Sequence, residues 1–268
     1  MAADGRDLGI DSTTPHIARV YDYWLGGKDN FAVDRETAEK VIAAFPDVLV
    51  SVRAQREFLG RAVRYLINEA GIRQFLDIGT GLPAADNTHE VAQRIAPETR
   101  VVYVDNDPIV LSHARALLTS SPEGETAYIS ADFHEPAKII AEAKATLDFS
   151  QPVGVMMLGL LHCVPDAEGP AALVRRVLDE VAPGSYLVIS HPASDISSSE
   201  MGNSMRAYNE SAPLQLTPRS HAEVARFLDG LELIEPGLVQ LHRWRAPAPE
   251  VGGDRELANY GAVARKSS

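Results

Sequence analysis

Between Gln74 and Ser190, short apolar runs alternate with amphipathic stretches, and this alternation leaves few architectures open. The runs are QFLDI (Gln74–Ile78), VVYV (Val101–Val104), AYIS (Ala127–Ser130), VGVMMLGLL (Val153–Leu161) and YLVIS (Tyr186–Ser190). Between them lie segments with helical spacing, over 87–95, through His113 to Leu117, over 136–147 and over 169–181. Strand–helix–strand repeats close into a parallel sheet with helices on its faces. The near-continuous apolar character of Val153–Leu161 fits a strand buried on both faces.

The ends of the chain read differently. Residues 1–13 carry no periodicity and are expected to be disordered. Thr14 and Pro15 suit an N-cap and a first helical position. Ile17, Val20, Tyr21 and Trp24 then form an apolar face that Gly26-Gly27 ends. A second helix is expected near Asp34, with Ala38, Val41, Ile42 and Phe45 on one side. A third is expected over 47–70, with Leu59, Ala62, Val63 and Leu66 on its face. Residues 14–72 thus read as a helical cap, 73–246 as the core and 247–268 as an irregular tail. Residues 192–219 interrupt the pattern and are expected to shape a pocket. Ser220 and Glu223 form a capping box. Leu231–Glu235 and Leu238–Trp244, split by Pro236-Gly237, allow an antiparallel hairpin at the sheet edge.

Charge and cysteine content narrow the function classes. The chain has 25 basic and 37 acidic side chains, a formal net charge of −12. That balance disfavours proteins whose work is gripping nucleic-acid backbones or anionic membranes. The single cysteine, Cys163, excludes an intramolecular disulfide and a cysteine-based metal site. No two histidines stand four apart, so no metal is expected. The longest apolar run, 153–164, is shorter than the ~20 residues a membrane span needs. The polar, acidic start is unlike a signal peptide, and a cytoplasmic protein is expected.

The sharpest local signal is Asp77-Ile-Gly79-Thr-Gly81-Leu-Pro83-Ala84, which follows a strand and opens toward a helix. Glycines there permit a tight turn and a close approach of backbone to ligand. Asp105 ends the next strand, where a carboxylate can accept hydrogen bonds from ribose hydroxyls. A G-x-G-x-x-A string suits a dinucleotide, which would make the chain an NAD(P)-binding oxidoreductase. Asp77, however, is electrostatically unhelpful beside a pyrophosphate. It suits S-adenosylmethionine, which carries an ammonium and a sulfonium and no phosphate. Asp132-Phe133 at the third strand's exit fits the same ligand, with a carboxylate for the adenine amino group and a ring for the base.

The stretches RVYDYWLGGKDNF (Arg19–Phe31), RQFLDIGTGLP (Arg73–Pro83), NTHEVAQ (Asn87–Gln93), VVYVDNDP (Val101–Pro108) and DGLELIEPGLV (Asp229–Val239) together resemble the actinobacterial S-adenosyl methyltransferase family. That family belongs to the class I methyltransferase fold. The resemblance implies a Rossmann-like three-layer sandwich, its sheet seven-stranded, mostly parallel and with a reversed last strand. It also implies S-adenosylmethionine as cofactor and S-adenosylhomocysteine as product. By position it implies Asp77, Gly79 and Gly81 around the methionine moiety, Asp105 on the ribose, Asn106 beside the adenine, and Asp132 and Phe133 at its edge. The Tyr21–Asn30 motif is expected to close over the cofactor. Tyr23 and Gly26 are its contact candidates, because Tyr21 and Trp24 lie on a stripe that serves core and cofactor equally well. Pro83 is expected in the first turn of the next helix.

Methyl transfer needs alignment of the acceptor and exclusion of water, and a base only where the acceptor loses a proton. His162 and His191 follow the fourth and fifth strands and are the candidate bases. His134 and His89 are weaker candidates, the latter for orienting the glycine loop. The partner expected is a small-molecule acceptor, with no nucleic acid and no membrane, and the chain is expected as a monomer or homodimer. A non-catalytic protein that binds S-adenosylmethionine or its product is the alternative of a different class.

Overall fold

The computed structural model describes residues 11–117, 119–247 and 256–267. The expectation for the start of the chain falls largely on residues 1–10, outside the described residues. Helices α1 (Ile17–Trp24), α2 (Ala32–Ala44) and α3 (Val48–Asn68) come first. There follow β1 (Gln74–Ile78), α4 (Thr88–Gln93), β2 (Arg100–Asp105), α5 (Pro108–Leu117), β3 (Glu125–Ser130), α6 (Pro136–Ala143) and β4 (Gly154–Leu158). The chain continues through α7 (Pro170–Asp179), β5 (Tyr186–Pro192), α8 (Ser198–Asn209), α9 (His221–Ala225), β6 (Glu232–Leu233), β7 (Val239–Gln240) and β8 (Asn259–Arg265).

The sheet runs in the order β3-β2-β1-β4-β5-β8-β6, with β7 also on β8. Strands β1 to β5 are parallel, and β6, β7 and β8 pair antiparallel. Two of the eight strands, β6 and β7, are two residues long. This is the class I methyltransferase architecture. The order reverses between β1 and β4, so the helices after those strands leave the sheet on opposite sides and open a crevice at the carboxyl ends.

Strand alternation fills both faces. Leu76, Ile78, Val155, Met157, Leu187 and Ile189 pack toward α6 and α7, with Ile139, Ile140, Val174 and Val177. Phe75, Val101, Tyr103, Met156, Val188 and Val263 face the other way, onto Phe58, Leu59, Ala62, Val63 and Leu66 of α3. The stripe expected on α3 is buried, but it seats that helix on the sheet rather than in a cap. The cap consists of α1, α2 and α8, joined by Val20, Trp24, Ala38, Val41 and Tyr208.

Asp34 holds α1 to α2. Its carboxylate is fully buried and accepts hydrogen bonds from the backbone of His16 (2.9 Å) and Phe31 (2.8 Å) and from Arg19 Nε (3.2 Å). Arg19 also donates to the Asp11 and Thr14 carbonyls, at 2.9 and 2.7 Å. These bonds set the helix starts. Helix α1 begins after His16 rather than at Pro15: His16 Nδ1 accepts the Ala18 N–H at 3.3 Å and the His16 carbonyl accepts the first helical N–H groups. Helix α2 begins two residues before Asp34, which caps it from its third position.

Two expectations for the C-terminal region are corrected. The tail is not irregular where it is described, since 259–265 form β8. It pairs with β5 from Tyr186↔Arg265 to Pro192↔Asn259. Its small residues Gly261, Ala262 and Ala264 hid the strand, because they carry no strong β signal. The expected hairpin also does not form. β6 and β7 each hydrogen-bond to β8, which supplies a longer partner than either gives the other.

A chain ending at Ala246 is expected to lose cooperative folding. It strips β5 of its partner and removes Tyr260, Ala262, Val263 and Ala264 from the cores. Urea unfolding followed by far-UV circular dichroism measures this, and a transition at the full chain's midpoint would contradict it.

Candidate active site

A cavity of about 330 Å³ lies over the carboxyl ends of β1 to β5. Its floor is the crevice at the β1–β4 reversal, and its roof is α1, α2, α3 and α8. Within the described residues it gathers Asp77, Gly79, Gly81, Asp105, Asn106, Asp132, Phe133 and His162. The expected cofactor residues of the three strand exits are therefore brought together.

Each of three adjacent parallel strands delivers one carboxylate. Asp77, in the last turn of β1, accepts a hydrogen bond from Thr88 Oγ1 at 2.6 Å. Burial pushes its pKa up from the ordinary carboxylate value to about 6. Asp105, at the end of β2, accepts the Gly81 N–H and the Asp107 N–H, both at 2.9 Å. Its pKa is also raised by burial, against the pull of those donors. Asp132, after β3, is different. Burial raises its pKa, but hydrogen bonds from His134 and Asn106 outweigh that and hold it low. His134 Nδ1 lies 2.5 Å from Asp132 and Nε2 lies 2.7 Å from Glu168, so the imidazole is favoured as a cation and its pKa is raised.

The glycine loop has a steric reason at Gly79. Its φ is +73°, and a Cβ there would lie 2.7 Å from Leu160 Cδ1. Its N–H donates to the Val104 carbonyl at 2.8 Å, which prolongs the β1–β2 pairing into the turn. Contrary to expectation, Pro83 does not lie in the first turn of α4; Asn87 is the N-cap, paired with Glu90 in a capping box. His89 is held by the Tyr103 hydroxyl at 2.8 Å from both its backbone and Nδ1, which anchors α4 beside β2.

Tyr23 and Gly26 do not reach the cavity. The Tyr23 hydroxyl bonds to Glu39 at 2.5 Å on the outer side of α1, and Gly26 is exposed. The residues that face inward are Tyr21 and Trp24, on the apolar stripe. The stripe that packs the cap is the same stripe that lines the cavity. The Gly27–Asn30 turn is built around Asp22 instead. Asp22 accepts from Asp29 N (3.0 Å) and Asn30 Nδ2 (2.8 Å), and a Cβ on Gly27 would stand 1.9 Å from its carboxylate. Asp29 lies 3.5 Å from His113 of α5, and His16 Nδ1 lies 3.0 Å from Asp107, so the motif fastens α1 to the β2 exit.

The two candidate bases separate. His191 does not line the cavity; its Nδ1 meets the Pro192 carbonyl at 2.9 Å and its Nε2 meets Arg219 at 3.0 Å. Both ring nitrogens are committed, and burial with the neighbouring His162 and Arg219 pushes its pKa down to about 3. Its role is structural. His162 lines the cavity, and its Nδ1 is buried with no hydrogen-bond partner among the described residues. Burial and Arg219 lower its pKa to about 4, so the ring is neutral with a nitrogen available.

Met201, Met205 and Tyr208 of α8, within the 192–219 stretch expected to shape a pocket, line the cavity, as do Gln55 and Arg56 of α3 and Asn259 of β8, which no expectation named. Arg56 donates to the Ala85 and Asp86 carbonyls at 2.9 Å and its charge lowers the Asp77 pKa slightly against burial. No local motif marks these positions. Among the described residues no cluster of His, Cys, Asp and Glu could hold a metal, and no helix is long and apolar enough to cross a membrane.

Comparison with known proteins identifies the family and the fold. The family model described as S-adenosyl methyltransferase matches residues 4–267. A DUF574 family protein from Streptomyces avermitilis is 46% identical with a TM-score of 0.92, over 96% of this chain and 99% of its own. A candidate methyltransferase from Thermobifida fusca is 38% identical with a TM-score of 0.90, over 99% of this chain and 100% of its own. The N-methyltransferase NodS of Bradyrhizobium japonicum, in complex with S-adenosylhomocysteine, shares the fold at 13% identity, with a TM-score of 0.51 over 87% of this chain and 98% of its own. No protein of curated function matches the sequence.

The folded state excludes protons from His162 and His191, whereas the unfolded chain takes them up near the ordinary imidazole pKa. Stability is therefore expected to fall as pH drops from about 6.5 toward 4. Urea midpoints across that range should show a smaller loss in His162→Gln, which has one imidazole fewer to protonate. An identical pH slope in the variant and the parent would contradict the assignment.

Proposed function

The chain belongs to the S-adenosyl methyltransferase family and uses S-adenosylmethionine, and from that premise we propose that it methylates a small-molecule acceptor with Asp77, Asp105 and Asp132 holding the cofactor. The observation that carries the site assignment is the row of carboxylates at three neighbouring strand ends. Two of them, Asp77 and Asp105, have pKa values raised by burial. A cationic ligand would relieve that cost, whereas a pyrophosphate would add to it. The donor set thus fits S-adenosylmethionine and argues against a dinucleotide.

When bound, S-adenosylmethionine supplies a methyl group already activated by its sulfonium. The side chains assigned here orient it. Asp77 faces the amino end, beside the glycine loop. Each oxygen of Asp105 accepts one backbone N–H and keeps a lone pair for a ribose hydroxyl. Asn106 donates to Asp132 at 3.1 Å, and that pair with Phe133 forms the adenine end. Methyl transfer to a protonated heteroatom breaks the carbon–sulfur bond with the electron pair on sulfur, forms the new bond to the acceptor atom and releases one proton. His162 Nδ1 is the group assigned to take that proton and pass it to solvent. The cap of α1, α2 and α8 excludes water from the reacting atoms. A chain of this kind works in the cytoplasm.

Calorimetry is expected to show S-adenosylhomocysteine binding and no binding of NAD. Micromolar binding of NAD alone would overturn the site. Asp77→Asn removes a charge-assisted hydrogen bond worth ~1.5–3 kcal/mol and should weaken binding about 10- to 100-fold. In the parent, affinity should fall as pH drops through about 6, where Asp77 takes a proton and loses its attraction for the ligand's ammonium. In Asp77→Asn that pH dependence should be absent. Asp105→Ala should weaken binding by a similar factor.

A further inference from the structure

The cavity has two ends of different chemistry. Its Arg and Asp lining groups (Arg56, Asp77, Asp105 and Asp132), with His16 and His134, stand at the exits of β1 to β3 or bond to residues there. Beyond the β4 exit, under the cap, the lining changes to Trp24, Val41, Phe45, Met201, Met205 and Leu216. Among the described residues no Lys, Arg, Asp or Glu lines that end. Three residues around it each carry a fully buried polar atom without a hydrogen-bond partner among the described residues: Ser51 Oγ, His162 Nδ1 and Tyr208 Oη. Ser51 is 4% exposed, His162 8% and Tyr208 1%. Buried polar groups are normally paired, so three orphans in one apolar chamber need an explanation.

We propose that this chamber receives the methyl acceptor, and that the acceptor is an uncharged, largely apolar molecule carrying a hydroxyl group, received by His162, Tyr208 and Ser51. The proposal rests on the cofactor reading above, which assigns the β1–β3 end to S-adenosylmethionine and so leaves the β4 end for the partner. An ammonium entering there would shed its hydration and meet no counter-charge, and a carboxylate or phosphate would find the nearby Arg219 already paired with Asp166. A hydroxyl can donate to His162 Nδ1 and accept from Tyr208 or Ser51, which satisfies what the protein leaves open. The aromatic rings of Trp24 and Phe45, with the adaptable thioethers of Met201 and Met205, favour a ring over a flexible chain. The hydroxyl proton then leaves through His162 as the oxygen takes the methyl group.

The test uses the full-length protein saturated with S-adenosylhomocysteine and three probes of one shape at pH 7.5: 4-ethylphenol, 4-ethylbenzoate and 4-ethylbenzylamine. Calorimetry is expected to show 4-ethylphenol binding at least about tenfold more tightly than either charged probe. Tyr208→Phe should weaken the phenol severalfold and leave S-adenosylhomocysteine affinity unchanged. Met205→Lys, a half-buried position, should reverse the order toward 4-ethylbenzoate. Equal or tighter binding of a charged probe, or no binding of the phenol, overturns the proposal while the cofactor reading stands. Failure of S-adenosylhomocysteine itself to bind overturns the cofactor reading.

Discussion

The reversal of strand order between β1 and β4 is the constraint on which the molecule depends. Parallel strands with right-handed crossovers must send their helices to opposite faces on either side of that point. A crevice at the carboxyl ends follows from connectivity alone, before any side chain is specified. The rest of the chain works on that crevice. The strand exits supply its carboxylates, the glycine loop keeps its floor open, and α1, α2 and α8 cover it. Even Asp34, fully buried and remote from the floor, serves it by fixing α1 to α2, two of the helices that form the roof.

Electrostatics divides the site into parts. Burial raises the pKa of Asp77 and Asp105 by more than their hydrogen bonds and, at Asp77, the charge of Arg56 lower it. Asp132 escapes the same penalty through His134, whose other nitrogen is held by Glu168. His162, after β4, and His191, near the end of β5, show the opposite response to burial, and their pKa values fall. One physical cause, desolvation of the charged form, thus raises carboxyl pKa values and lowers imidazole pKa values within one fold. The difference between His162 and His191 lies in hydrogen bonding. His191 has both nitrogens engaged, and His162, which lines the cavity, has a buried Nδ1 with no partner among the described residues.

Much of the site was readable one residue at a time. Asp77, Gly79, Gly81, Asp105, Asn106, Asp132 and Phe133 stand at strand ends, and strand ends are marked by where an apolar run stops. Strand periodicity together with right-handed connections then places them side by side. Tyr23 shows where such reading fails. Its position off the apolar stripe suggested a ligand contact, but the cap turns its polar side to solvent and its apolar side to the cavity. The stripe of an amphipathic helix names the buried face without saying whether protein or ligand covers it. The β8 strand failed for another reason. Small residues that pack closely at a sheet centre give weak β signals, so neighbours rather than propensity decided their state.

The amino-acid sequence by itself determined the class of sheet, the crevice at its carboxyl edge and the acidic residues that converge there, because these follow from local periodicity and the handedness of connections. It also determined the family, through motifs spread along most of the chain. Tertiary structure alone decided what roofs the crevice, which histidine keeps an open nitrogen and where the apolar chamber lies. Those depend on contacts between segments far apart in the chain, as when Tyr208 of α8 meets Val20 of α1 and Val52 of α3. No periodicity within one segment encodes a contact of that kind, since its energy exists only once both partners are in place.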